Sequence, residues 1–308
     1  MKIGYYPGCS LLGSSKEYAE SVEAIAPALG LELVEVPDWN CCGASAAHNM
    51  NHELAVALPA RILALAEKAG LTEILVPCAA CFCRLTLARH ELLKNEELRK
   101  EVSDIIEMDF KGTAIPMNVL AVLNKYVLND IAKKIIKPFA RKVACYYGCL
   151  LVRPAQILDF DKVEDPQFMD DIIKKIGGKT IEWGYKTECC GAGLSVSGTN
   201  VVAKLSGKIV NAASEQGAEA IIVACPMCHS NLDMRRKGIE KDLQKSFPVP
   251  VIYITQAIGL AMGIEESKLG LHRHFVPVVF PVVEKKQAPA EKPAEKKVAG
   301  SVVEATVN

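Results

Sequence analysis

Ten of the chain's twelve cysteines fall into two matching sets, and this repeat constrains the fold more than any other feature. The first set is Cys9, the adjacent pair Cys41 and Cys42, then Cys78 and Cys81. The second is Cys149, the pair Cys189 and Cys190, then Cys225 and Cys228. Each set reads as a single cysteine, a Cys-Cys-Gly and a Cys-x-x-Cys. Cys42 and Cys78 lie 36 positions apart, Cys190 and Cys225 lie 35 apart, and only the first gap is looser, at 32 and 40 positions. Matching spacing over so long a stretch indicates an internal duplication of a whole α/β unit, not a short-period solenoid.

Twelve thiols need a physical reason. Met1-Lys2-Ile3-Gly4-Tyr5 runs straight into a strand pattern without a charged-then-apolar leader, which predicts no signal peptide. The longest apolar stretch, 250–264, is broken by Tyr, Thr, Gln and Gly and falls short of the roughly 20 residues of a membrane helix. The expectation is a cytoplasmic protein with no membrane span, in which thiols stay reduced and a disulfide framework is the weaker reading. Metal binding or redox chemistry is the stronger one. The 36 basic and 36 acidic residues cancel, so no polyanion partner is indicated and nucleic acid is not expected.

Both halves alternate strand and helix patterns. In the first, strands are expected at 2–6, 31–36 and 73–76, and helices at 17–29, 51–69 and about 81–92. In the second, strands are expected at 142–147, 179–183, 220–224 and 249–254, with helices at 166–176, 201–216, through Leu232 and Arg235, and at 255–262. Residues 98–137 read as mostly helical, suited to packing between the halves. The predicted class is α/β: two repeated domains, each a small, mainly parallel sheet with flanking helices, related by a pseudo-twofold. The boundaries are 1–137 with the connecting helices, 138–272, and a flexible tail over 273–308. The tail becomes rich in Lys, Glu, Ala and Pro from about Glu284 and cannot bury enough apolar surface to order itself.

Every cysteine group follows a predicted strand. In a parallel sheet such loops lie at the carboxyl edge, where α/β folds bind ligands. Neighbouring Cα atoms are about 3.8 Å apart, too close for the roughly 4.4 Å or more that a disulfide needs, so Cys41–Cys42 and Cys189–Cys190 suit a polynuclear metal group better. Five thiols with one Cys-x-x-Cys per half favour iron–sulfur over zinc, which takes four ligands. The ferredoxin run C-x-x-C-x-x-C is absent, so an ordinary cubane is not what the spacing predicts. Structural zinc and thiol–disulfide chemistry stay open on spacing alone.

The paired motif resembles the CCG-domain family, and over about residues 1–270 the duplicated form is similar to the B component of heterodisulfide reductases. The resemblance implies that Cys9, Cys41, Cys42, Cys78 and Cys81 hold one noncubane 4Fe-4S cluster and Cys149, Cys189, Cys190, Cys225 and Cys228 a second. It implies an oxidoreductase that reduces a small-molecule disulfide of the coenzyme M–coenzyme B type to two thiols. The electrons would come from the reductase's ferredoxin-like C component and flavin-carrying A component, with a hydrogenase or formate dehydrogenase behind them. The alternative within the family is an electron-relay protein of a glycolate-, lactate- or succinate-type dehydrogenase that passes electrons to quinone.

Other residues have weaker claims. Cys83 and Cys145 read as small buried apolar residues. His48 and His229 follow cysteine loops and could donate protons to a thiolate product, although an ordinary structural histidine is the commoner case. Lys186, Arg84 and Arg235 lie near cysteine loops and could face an anionic substrate; solvated charge is the plain alternative. The pairs Tyr5-Tyr6 and Tyr146-Tyr147 could pack against clusters or simply fill the sheet core.

Overall fold

A computed structural model describes residues 1–44 and 47–280. In the first half, β1 (Lys2–Tyr5), β2 (Glu32–Glu35), β3 (Glu73–Leu75) and β4 (Ile115–Met117) form a sheet in the order β2-β1-β3-β4. In the second, β5 (Lys142–Tyr146), β6 (Lys179–Thr180), β7 (Ala220–Val223) and β8 (Val251–Tyr253) repeat it as β6-β5-β7-β8. Every pairing is parallel; Gly4 opposes Ile74 in one sheet, and Cys145 opposes Ile222 in the other. Helices cover the sheets, so a central strand such as β7, Ala-Ile-Ile-Val, is buried along its whole length. The repeated α/β architecture expected from the sequence is therefore present.

β4 is the strand the sequence pattern misses, because 98–137 has no strand-like alternation. It is three residues long with Pro116 at its centre. Proline cannot donate to a ladder, so it suits this edge position. The carboxylate of Glu67 accepts from the amides of Lys111, Thr113 and Ala114 and so leads the chain into the edge strand. Helices Glu96–Ile106 and Val119–Tyr126 flank it, opened by Asn95 and Asn118, whose side chains accept from Leu98 N at 3.1 Å and Ala121 N at 2.9 Å.

The halves meet where helix Lys16–Ala28 of the first packs on helix Ile254–Ala261 of the second. Ser21 and Thr255 hydroxyls hydrogen-bond at 2.7 Å, and the rings of Tyr18 and Tyr253 stack 4.0 Å apart, 7° from parallel. The body continues beyond the expected boundary at 272. The amides of Phe275 and Val276 donate to the Asp233 carboxylate at 2.8 and 3.0 Å. Phe280 meets Phe139 edge to face under the Arg141 guanidinium. The Lys, Glu, Ala and Pro segment expected from about 284 lies outside the described residues. Among the described residues no helix is long and apolar enough to cross a membrane.

Candidate metal centre

Strand ends carry the cysteines to two equivalent places. Cys9 lies on the short helix Gly8–Leu12 just after β1, and Cys149 follows β5. The Cys-Cys-Gly loops come after β2 and β6. Cys78 and Cys225 are the N-caps of helices Ala79–Lys94 and Pro226–Leu232, with Cys81 and Cys228 in the first turns. Gly8 and Gly148 have φ of +66° and +70°, and this left-handed turn brings the backbone against the last sulfur of each set. A Cβ on Gly8 would lie 3.5 Å from Cys81 Sγ, and one on Gly148 would lie 2.9 Å from Cys228 Sγ.

Each set converges. Cys42 Sγ and Cys81 Sγ are 3.0 Å apart, and Cys190 Sγ and Cys228 Sγ are 3.7 Å apart. All twelve cysteines are free. A disulfide would need about 2.05 Å. Two thiolates on one tetrahedral metal, with bonds of about 2.3 Å, sit roughly 3.8 Å apart, close to the Cys190–Cys228 spacing. Cys9, Cys41 and Cys189 are exposed, Cys149 is partly buried and the remaining six set members are buried, so each set runs from the surface inward. At the inner end the buried Cys78 and Cys225 come within electrostatic reach of each other across the two halves.

The electrostatics repeat as well. The hydrogen bond with Cys81 lowers the Cys42 thiol to about 7, and the bond with Cys228 likewise lowers Cys190. Cys42 and Cys190 are thus readier to deprotonate, as metal ligation requires, and at the seam Cys225 is lowered too while Cys78 is raised. Tyr6 donates to Asn40 O at 2.9 Å and Tyr146 to Glu188 O at 2.7 Å, each the carbonyl just before a Cys-Cys pair. Burial, then four surrounding thiols of the same set, push both phenols up. These tyrosines therefore line the cysteine sites, whereas Tyr5 and Tyr147 turn away from them: Tyr147 donates to Asp170 at 2.8 Å. The all-sulfur donor set, its two pinned loops and its glycine-opened backbone fit an iron–sulfur group in each half.

The remaining sequence candidates separate by geometry. Cys83 is buried, 3.9 Å from Arg153 O, and Cys145 is buried inside β5. His48 is exposed on the short helix Ala47–Met50. Lys186 is not at a mouth: it is buried, 2.8 Å from Asp165 and 3.4 Å from Asp170. Arg235 donates to Ser195 O, and Arg84 lines a cleft with His52, His90, Glu91 and Lys94.

His229 belongs to a buried network at the seam. Gln256 accepts from Tyr253 N and donates to Leu269 O, both at 2.9 Å, which sets the sense of its amide. Its NH2 therefore also donates to His274 Nε2 at 2.8 Å, and His274 carries its proton on Nδ1. His274 Nδ1 lies 3.1 Å from His229 Nε2, which is also 3.1 Å from Val251 O. His229 Nδ1 faces Glu17 Oε1 at 3.6 Å. Burial lowers both imidazoles, His274 to about 4, so both are neutral at pH 7. His229, Asp233 and His274 place ligand atoms within 4.8 Å of one another. A cation there would put a protonated His274 Nε2 against the Gln256 NH2, two donors 2.8 Å apart, so the group acts as a hydrogen-bonded bolt between the halves.

The cysteine-rich domain model named CCG matches residues 3–86 and 143–233, covering both cysteine sets and more than half of the chain. The chain belongs to the CCG family. This CCG protein is 32% identical over 279 residues to the 8-methylmenaquinol:fumarate reductase membrane anchor subunit of Wolinella succinogenes, covering 89% of this chain and 97% of the relative. It is 27% identical over 286 residues to the B component of the ferredoxin/F420H2-dependent CoB-CoM heterodisulfide reductase of Methanosarcina acetivorans, covering 89% and 94%. A protein like the heterodisulfide reductase B component, from Archaeoglobus profundus, is 29% identical, covering 87% and 93%. A crystal structure of a hypothetical protein from Helicobacter pylori shares the fold, with a TM-score of 0.73 at 14% identity over 91% of this chain and 53% of its own. Family membership and the ten thiols mark an iron–sulfur protein of redox function, of the heterodisulfide reductase type.

Tyr18, Glu17 and Asn231 carry seam and site contacts that sequence reasoning did not single out. Tyr18 lies fully buried between Pro77 O and Ala224 O, at 3.5 and 3.4 Å, the carbonyls just before Cys78 and Cys225. Its place in the helix Lys16–Ala28 gave no local signal, because the groups it meets come from distant parts of the chain.

Proposed function

We propose that this chain is the catalytic subunit of a heterodisulfide reductase-type complex, reducing the coenzyme M–coenzyme B disulfide or a related one to two thiols. The observation that carries this reading is the pair of complete cysteine sets, joined at the seam by Tyr18 between the carbonyls just before Cys78 and Cys225. The reaction takes up two electrons and two protons and breaks one S–S bond. Two noncubane 4Fe-4S clusters, one per set, would supply an electron each and Lewis-acid sites for the leaving thiolates. The chain's own part is to hold the sets close, keep Cys42 and Cys190 deprotonatable, and leave Cys9, Cys41 and Cys189 at the open end where a small disulfide can enter. The chain has no glycine-rich dinucleotide fingerprint, which supports delivery by a ferredoxin-like C component and a flavin-containing A component, in a cytoplasmic complex with a hydrogenase or formate dehydrogenase.

A second reading is favoured by the similarity to the membrane anchor subunit of a fumarate reductase. In it the same two sites relay electrons between a dehydrogenase and a quinone and bind no disulfide. Anaerobically purified protein separates the two. Iron and acid-labile sulfide in both sets, with a new paramagnetic signal when coenzyme M is added to the oxidised protein, supports disulfide reduction. Intact clusters that ignore coenzyme M favour the relay. Zinc without iron or sulfide ends both.

A further inference from the structure

The two cysteine sets match in ligands but not in what surrounds them. Asn231 is 1% exposed and lies three residues after Cys228. Its Nδ2 donates to Cys190 O at 3.1 Å and points at Cys190 Sγ at 3.7 Å. Its Oδ1 accepts from the Ser195 hydroxyl at 3.0 Å, which sets the sense of the amide. Ser206, on helix Thr199–Glu215, donates to the same Cys190 carbonyl at 3.0 Å, and Arg235, beyond helix Pro226–Leu232, donates to Ser195 O, so the 189–195 loop is held from several elements. The Gly191 amide also donates to Cys189 Sγ at 3.3 Å. The first set has Arg84 where the second has Asn231, three residues after Cys81, and Arg84 lines the cleft with His52 and His90. Among the described residues, no side-chain amide reaches a sulfur of the first set.

A donor aimed at a ligand sulfur stabilises the more negative, reduced state of the group that the sulfur holds, and so raises its potential. Tyr6 and Tyr146 make the same carbonyl bond in both halves, and the Tyr6 hydroxyl also helps lower Cys42, so the side-chain amide is what sets the second half apart. Main-chain donors next to the Cys-Cys pairs are common to both halves too. Asn231 is peculiar to one.

We propose that Asn231 is a positioning and potential-setting residue for the second cysteine set, and that through it the two sets hold redox centres of unequal potential. The inference rests on the reading that each set binds a cluster. Unequal sites give a two-electron reaction an order: the first electron settles in the second half, and the first-half site stays the one exchanged with the donor.

The test is a potentiometric titration of the anaerobic, cluster-loaded protein, followed by paramagnetic resonance, in wild type, Asn231→Leu and Ser195→Ala. Wild type shows two transitions. Asn231→Leu lowers one of them, with about a tenfold change in its reduced-to-oxidised ratio at fixed potential, about 59 mV for a one-electron couple, and leaves the other in place. Ser195→Ala, which frees the amide without removing it, moves the same transition by less. If the Leu variant loads poorly, Asn231→His keeps an N–H donor and shows a transition closer to wild type. Two transitions that both move, or that both stay, overturn the inference while leaving the clusters intact. A single transition with iron in both sets likewise overturns the inference, whereas protein without iron or sulfide removes the reading on which it stands.

Discussion

Gly148→Ala is the sharpest probe of the second site, because Gly8→Ala controls for it inside the same molecule. Both glycines hold left-handed φ, which costs an alanine about 1–2 kcal/mol at either position. The added methyl separates them. At Gly148 it would lie 2.9 Å from Cys228 Sγ, closer than real Cβ contacts come, whereas at Gly8 the sulfur is 3.5 Å away. The backbone at 148 cannot easily retreat: the amides of Tyr147 and Gly148 both donate to Lys186 O, at 2.8 and 3.0 Å. Nor can the sulfur yield without leaving Cys190, 3.7 Å away. Overpacking of this kind costs about 1–3 kcal/mol more, so Gly148→Ala should lose about 2–5 kcal/mol in all. Against a typical stability of about 5–15 kcal/mol, the chain still folds, and Cys228 is the group displaced. Iron and sulfide per chain, with denaturant unfolding, read the outcome. Gly148→Ala is expected to lose the iron of one set and keep the other, and Gly8→Ala to keep both at a small cost in stability. Full iron content and unchanged midpoints in Gly148→Ala would show that Cys228 is not held against this turn, and the site geometry would be wrong.

Other expectations concern the buried charges. Lys186→Met takes its closest cation from the buried Asp170 carboxylate, which keeps the Tyr147 hydroxyl, and should cost about 3–5 kcal/mol in urea unfolding. Adding Asp170→Asn should recover much of that loss; a strictly additive double variant would contradict the pairing. Burial raises the Glu17 carboxyl above its ordinary value of 4.5, so its contribution to stability is full below that pH and is lost as pH rises through the folded value. Glu17→Gln should therefore flatten the fall in stability as pH rises above 4.5, and an unchanged slope there would count against a buried, strained carboxylate. Iron removal by a chelator should lower the unfolding midpoint as well as bleach the protein, because ligation of both sets contributes folding energy; an unchanged midpoint would mean that the cysteine loops hold themselves.

The spacing of ten cysteines was enough to identify the repeat, the parallel α/β class and the two sets of thiols, because each group follows an apolar strand and strand ends converge. Strand β4 escaped, since three residues around Pro116 at a sheet edge carry no periodicity and depend on Glu67 to guide the chain there. Lys186 looked like a surface cation near a cysteine loop; the fold turns it inward onto two aspartates, which no local pattern encodes. The expected boundary at 272 fell short for a similar reason: the anchor for Phe275 and Val276 is Asp233, some forty residues earlier. Sequence alone determined which donor atoms each half offers, because ligand chemistry is local to the side chain and its neighbours. Only the tertiary structure decided how the two sites meet and differ. The Cys78–Cys225 contact, the Tyr18 seam and the amide of Asn231 all join residues from separate elements, and their placement follows from the packing of one element on another.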